Sequence, residues 1–499
     1  MSVNTAVSAS AGRFAELSNF WRLSPVAPLA AGLLLAAGWL SPLFFLLLMA
    51  SLGAAVVSAR YPWFSAALPM LVFNLVGTDL ASGLHLAGID VNAADIIILP
   101  SLMILLWRVA TRSRPVPRPG LAISMLAAWL ILLTLIGLIY HNPLALVRNE
   151  LHVLMLLPLA YFWVAAEIRT RRSLWLMLVA IIVSIALAGT KAMLISFVVV
   201  HSHSGVSSAW QAWTDISNSV GGERTRLCGA DTMFMLAVPL LAAAALFAPR
   251  CRATFFLLSG SSFVLFGLLA SLTRTYWLGA LTAFVLVLGL GAVKAGMRAV
   301  TFTAVVTIAM VVAEILLVVL ATRGTTETDF RQVLLTRLRF DNEVAVSENV
   351  DYRGKEAAAF LQAAQQHLFL GSGLGASVHL EYLDDLYPIT TRDGHDIALE
   401  VFYKSGVLGL ILFAFPLILT TWRAVRGYLA SRDPLTSVAL LGVGLSMPLL
   451  IITSVTVNRL SHFEGAFFIG LAIAVVEIAP KLARPAQTDA AGGLPGAVM

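Results

Sequence analysis

Arginine is the residue whose placement in this chain first implies chemistry. Arg148, the pair Arg224 and Arg226, Arg274, Arg353 and Arg459 stand between apolar stretches with almost no lysine among them. A guanidinium grips a phosphate through two parallel hydrogen bonds, so arginines converging from separate segments would build a site for a phosphate-bearing anion. Each could instead pair with a nearby acid such as Glu150, Glu223 or Glu464. For proton transfer the candidate is His395, in Asp393-Gly-His395-Asp396. Imidazole is the side chain best suited to take a proton from a hydroxyl near neutral pH. It could equally be a histidine at the start of a helix, bonded to backbone. Asp396 beside it would favour the charged ring. His367 and His201-Ser-His203 offer further bases, and Glu314 lies inside an apolar run, where an acid is either functional or hydrogen-bonded to a neighbour.

Other chemistry is not indicated. Asp384-Asp385 and Asp393 lack the paired spacing of a metal motif. The turn Gly371-Ser-Gly373-Leu-Gly375 follows a helical run with no strand before it, so it reads as a helix cap and tight turn and not as a nucleotide cradle. Neither metal nor cofactor is expected, and no nucleic acid, because the basic residues follow topology and do not form a patch.

The elements that must carry these residues are apolar helices. With 499 residues, 59% hydrophobic and 12% charged, the chain has too few charges to cover a soluble surface. The expected fold is an all-α polytopic membrane bundle of about 14 spans, each of roughly 20 residues. Their cores begin near Pro25, Pro42, Tyr61, Ala94, Pro119, Leu151, Ser173, Ala230, Ala253, Thr275, Ala299, Ile397, Thr436 and Phe463. Cys228 and Cys251 flank one span, too far apart to be bridged.

Alternate turns carry the basic residues, from Arg60 and Arg108 through Arg169, Arg250, Lys294 and Arg423 to Lys481, which sets both termini in the cytoplasm. The expected organisation is a cytoplasmic tail at 1–23, a helix bundle at 24–321, a large, partly helical outer loop at 322–396, further membrane helices at 397–480 and a disordered cytoplasmic tail at 481–499. A polar loop of that length is usually functional. The candidate arginines then fall on the outer face, together with Trp277, whose ring suits the interfacial aromatic belt.

In series, these patches resemble the C-terminal signature of the O-antigen ligase and polymerase family of bacterial envelope proteins. Ser271-Leu-Thr-Arg274-Thr-Tyr-Trp277 is similar to the family's Ser-x-Ser-Arg-x-x-Trp. Arg353 with His367-Leu-Phe-Leu-Gly371-Ser-Gly373-Leu-Gly375 resembles its loop arginine and His-Pro-x-x-Gly-x-Gly-x-Gly. His395-Asp396-Ile-Ala-Leu399 with Gly406 and Gly409 is similar to its His-Asn-x-Tyr-Leu and following glycines. Leu368, Asp396, Ala398 and Lys404 stand where the family has proline, asparagine, tyrosine and a frequent glutamate.

The resemblance implies a metal-independent glycosyl transfer at the periplasmic face of a bacterial inner membrane. The donor would be an undecaprenyl-diphosphate-linked glycan. The acceptor would be a sugar hydroxyl on another repeat unit, for a polymerase of O-antigen or exopolysaccharide, or lipid A-core or a protein hydroxyl, for a ligase. His395 would be the base and Arg274, Arg353, Arg224, Arg226, Arg148 and Arg459 would hold the diphosphate, with Glu314, His367 and Asp396 as further site residues. The lipid bilayer and other polysaccharide-assembly proteins are the implied partners. A flippase for the same lipid-linked sugars is the competing class; it would bring inverted repeats, interrupted helices and charges at mid-membrane.

Overall fold

The computed structural model describes residues 42–75, 84–86, 89–91, 93–114, 116–201, 231–247, 252–270, 274–321, 343–380, 389–391, 394, 396–453 and 463–483. In chain order the helices are α1 (Pro42–Arg60), α2 (Pro62–Leu75), α3 (Ala93–Ala110), α4 (Leu121–Ile139), α5 (Leu144–Glu167), α6 (Arg171–His201), α7 (Asp231–Phe247), α8 (Arg252–Ala270), α9 (Arg274–Ala295), α10 (Met297–Ala321), α11 (Glu343–Ala364), α12 (Ile397–Ala430), α13 (Pro434–Gly442), α14 (Ser446–Thr453) and α15 (Phe463–Ala483). Two short antiparallel ribbons interrupt them, β1 (Leu84–Leu86) with β2 (Ile89–Val91) and β3 (Val378–Leu380) with β4 (Ile389–Thr391).

The fold is an all-α polytopic membrane bundle. Eight helices, α3, α4, α5, α6, α9, α10, α12 and α15, are long and apolar enough to cross a membrane. Shorter apolar helices lie in α1, α2, α7, α8 and across 434–450. All coincide with expected spans. The expected span at Pro25, both tails and residues 322–342 of the loop lie outside the described residues.

Burial sorts the helices. In α15, 67% of the apolar window is buried, against 11% in α10, so α15 is a core helix and α10 a peripheral one. Trp129, Trp163, Tyr428 and Phe467 fill the interior. Small polar side chains stitch neighbouring spans together: Asn74 Nδ2 donates to Ser184 Oγ at 3.0 Å, and Trp163 Nε1 to Ser65 Oγ at 2.9 Å.

Basic helix ends gather on one face. Arg108 Nη1 lies 2.7 Å from Glu167 Oε1, and Arg423 Nη1 3.5 Å from Glu477 Oε1. Arg171 pairs with Asp433, and Lys294 donates to the carbonyls of Tyr428 and Ser431 at the end of α12. The opposite face carries the α4–α5 turn, α11 and the start of α12, and is called the loop face below. One boundary departs from expectation. α5 starts at Leu144, just after Pro143, so Arg148 and Glu150 belong to its first turns and not to the preceding turn.

Candidate functional site

The loop face is built on a broken span. α12 is interrupted at Gly406, whose φ of 62° and ψ of −166° leave the helical region. The break frees backbone groups that the intervening loop takes up. Ser372 N and Gly373 N donate to the carbonyls of Tyr403 and Lys404 at 2.9 and 2.7 Å. Val407 N and Leu408 N donate in turn to Leu368 and Phe369 at 2.9 and 3.3 Å. A helix with four groups left open is thereby closed by a loop.

The glycine turn is what lets the loop come this close. Gly371, Gly373 and Gly375 all have φ between 74° and 78°, the left-handed region that L side chains avoid. At Gly373 a Cβ would also overlap the backbone of Gly137 in α4. The turn continues across α4 and α5. Leu374 N donates to Leu133 O at 3.1 Å, and Asn142 Nδ2 donates to both Ser372 O and Leu374 O at 2.8 Å. The amides of residues 371 to 375 thus all point at protein acceptors, Gly375 N reaching Glu150 Oε2 at 3.1 Å. The expected cap and tight turn is what forms; the turn is a clasp between spans and presents no amide nest to an anion.

Beneath the clasp sits a buried ionic triad. Lys404 Nζ lies 2.8 Å from Glu400 Oε1 and 3.2 Å from Glu150 Oε2. Glu400 Oε2 also accepts from Gly394 N at 3.0 Å. The lysine therefore bridges α12 to α5, while the two carboxylates hold backbone amides on either side of β3 and β4. Glu150 Oε1 has no hydrogen-bond partner among the described residues. The triad was legible only in part: Glu400 and Lys404 have the i, i+4 spacing of a helical ion pair, but nothing local joins them to Glu150. Tyr140 and Asn142 at the α4–α5 turn, and the pair of His152 Nε2 with Asp95 Oδ1 at 3.2 Å, were likewise not singled out by sequence.

The expected site residues distribute as follows. Arg353 is half-buried on α11, which packs through Phe360 and Ala364 against Tyr403 of α12 and Val378 of β3. His367 closes a short 3-10 turn after α11 and stacks on Tyr140, ring centroids 4.7 Å apart, with the phenol 3.4 Å from Nδ1. Asp396 is the N-cap of α12; its Oδ1 accepts from Ala398 N at 2.8 Å and from Leu399 N at 3.3 Å. Arg148 is exposed in the second turn of α5. These four share the loop face. Arg274 is the first residue of α9. Arg224, Arg226, Arg459 and His395 lie outside the described residues.

Glu314 stands apart. It is buried on α10 and accepts from Ser262 Oγ of α8, the neighbour-bonded arrangement left open above. Trp277, expected at the interfacial belt, donates through Nε1 at 2.8 Å to Leu268 O near the end of α8. Lys191 donates to Leu75 O at the end of α2. No group of three or more His, Cys, Asp or Glu side chains converges to hold a metal among the described residues.

A multi-pass membrane bundle, with a helix and turn clasped into a broken span, is the class of protein these elements define. Residues 253–414, from α8 to the middle of α12, match the Wzy_C family model, O-Antigen ligase. The matched stretch, about a third of the chain, contains every motif that carries the resemblance and supports an O-antigen ligase or polymerase type, with glycan transfer as the function associated with that type. No curated protein matches the chain.

Proposed function

We propose that the protein transfers a glycan from an undecaprenyl-diphosphate carrier to an acceptor hydroxyl at the periplasmic face of the inner membrane. The acceptor oxygen forms a bond to the anomeric carbon, the bond from that carbon to the diphosphate breaks, and the hydroxyl proton passes to His395. Arg353, Arg274 and the arginines at 148, 224, 226 and 459 offset the charge that grows on the leaving diphosphate. No nucleotide is needed, because the donor carries its own leaving group. The observation that carries this reading is the family match, whose range takes in Arg274, Arg353, His367 and His395. Arg353 and His367 belong to elements docked on the first half of α12, which supports the same reading.

The acceptor assigned from sequence is a second lipid-linked repeat unit, which makes the protein a polymerase. A ligase acting on lipid A-core is the second reading, favoured by the description of the matched family. Both are tested with purified protein in nanodiscs, a lipid-diphosphate-linked repeat unit and a chelator. A ladder of longer glycans with release of undecaprenyl diphosphate, abolished by Arg274→Ala, Arg353→Ala and His395→Ala, is the polymerase outcome. Release only on adding lipid A-core is the ligase outcome. No release with either acceptor, from folded protein that moves the lipid-linked sugar across liposomes, would replace transfer by transport.

A further inference from the structure

We propose that the turn Leu368-Phe369-Leu370 is a membrane anchor, inserted among the acyl chains of the leaflet on the loop face. The starting observation is exposure. In a stretch otherwise chosen for water, three successive apolar side chains are exposed, Phe369 to 78%. Isolated exposed apolar residues need no explanation, but these are not isolated. Hydrogen bonds from Val407 N and Leu408 N seat the turn directly on α12, whose exposed Leu408 and Ile411 belong to a face of a membrane span. Ile139, at the neighbouring end of α4, is exposed as well. The turn therefore extends a surface whose occupant in the membrane is lipid.

The backbone supplies an independent argument. Hydrocarbon accepts irregular chain only where its polar groups are paired within the protein. The carbonyls of His367, Leu368 and Phe369 accept from Gly371, Val407 and Leu408, and the amides of Gly371, Ser372 and Gly373 are donated to His367, Tyr403 and Lys404. The carbonyls of Leu368 and Phe369 are thus paired within the protein, which a position at acyl depth favours. His367 and Tyr140, immediately before the turn, present polar atoms where headgroups would begin. This anchor rests on the membrane fold and not on the transfer reaction. If the reaction also holds, the anchor sets the level of α11 and Arg353 against the bilayer at which a lipid diphosphate lies.

The test is spin-label accessibility in nanodiscs of phosphatidylethanolamine and phosphatidylglycerol, in a background with Cys228→Ser and Cys251→Ser. Labels are placed by Phe369→Cys and, separately, Leu370→Cys. Gln366→Cys serves as the water-exposed reference and Ile411→Cys as the lipid-facing one. Both turn labels are expected to match the lipid reference, with oxygen access high and access to a water-soluble nickel chelate several-fold below that at position 366. Nickel access equal to that at position 366 would put the turn in water and overturn the anchor. Protection from both reagents would mean protein contact, such as a second copy, and would overturn it equally. Neither readout depends on turnover, so loss of the transfer reading would leave this result standing.

Discussion

Replacing Lys404 by methionine removes the one cation from the buried triad and leaves two carboxylates facing each other. At separations of 2.8 and 3.2 Å, the two attractions are about 6 and about 5 kcal/mol at an effective dielectric near 20. The desolvation of three charges offsets most of that, so the intact triad contributes little net stability. Breaking it is different, because the side chains of Glu400 and Glu150 are only 10% and 12% exposed and keep their desolvation cost without the cation they share. The expected loss for Lys404→Met is about 3–5 kcal/mol. The triple variant Lys404→Met, Glu150→Gln, Glu400→Gln should recover most of it, since the neutral side chains still accept from Gly375 N and Gly394 N. Denaturation of the purified protein at fixed detergent composition measures the order. The single variant should also admit trypsin at Arg353 and Lys355, because the two carboxylates hold amides on both sides of the docked segment. If the single variant melts with the parent, or the triple melts below the single, the triad is not what pins the loop.

Three further outcomes follow from the geometry. Gly373→Ala forces a Cβ into the left-handed region and onto Gly137, and should cost at least about 1–3 kcal/mol in the same denaturation assay; a silent substitution would mean that the clasp is loose. Asp396→Ala should cost about 1 kcal/mol through the lost N-cap, while Asp396→Asn keeps the cap and should match the parent within a few tenths. Glu314→Gln should keep its bond with Ser262 and leave turnover unchanged; a loss of turnover in a protein of parental stability would bring Glu314 into the reaction.

The spans were legible because a run of apolar residues long enough to cross a bilayer has few other fates, and the helices described here begin near Ala94, Pro119, Thr275 and Phe463 as expected. The clasp was legible as a turn from its glycines alone. Its partners were not, since Tyr403 and Lys404 are reached only after the chain has turned through β3 and β4. The break at Gly406 lay hidden for the same reason: a lone glycine in an apolar helix is common, and only the arriving turn makes interruption affordable. Arg148 was read into a turn because the polar run Arg148-Asn149-Glu150 masked a helix that Pro143 had already begun. Trp277 has the chemistry of an interfacial ring, and its donation to Leu268 depends on α8 ending alongside it.

The seam between the glycine turn and the broken span also bears on how the chain is made. It joins positions synthesised far apart: Asn142 bonds to Ser372 across 230 residues and Trp129 to Ser405 across 276. When α4 and α5 enter the bilayer, their side of the seam has no counterpart yet. Once α12 follows, the break at Gly406 leaves the carbonyls of Tyr403 and Lys404 open until the turn reaches them. Closure over so long an interval adds little free energy beyond that of a shorter loop, but it comes late. Insertion of α12 and docking of the turn are therefore coupled, and a chain cut before Ile397 would display a turn in which the amides of Ser372 and Gly373 have lost their acceptors.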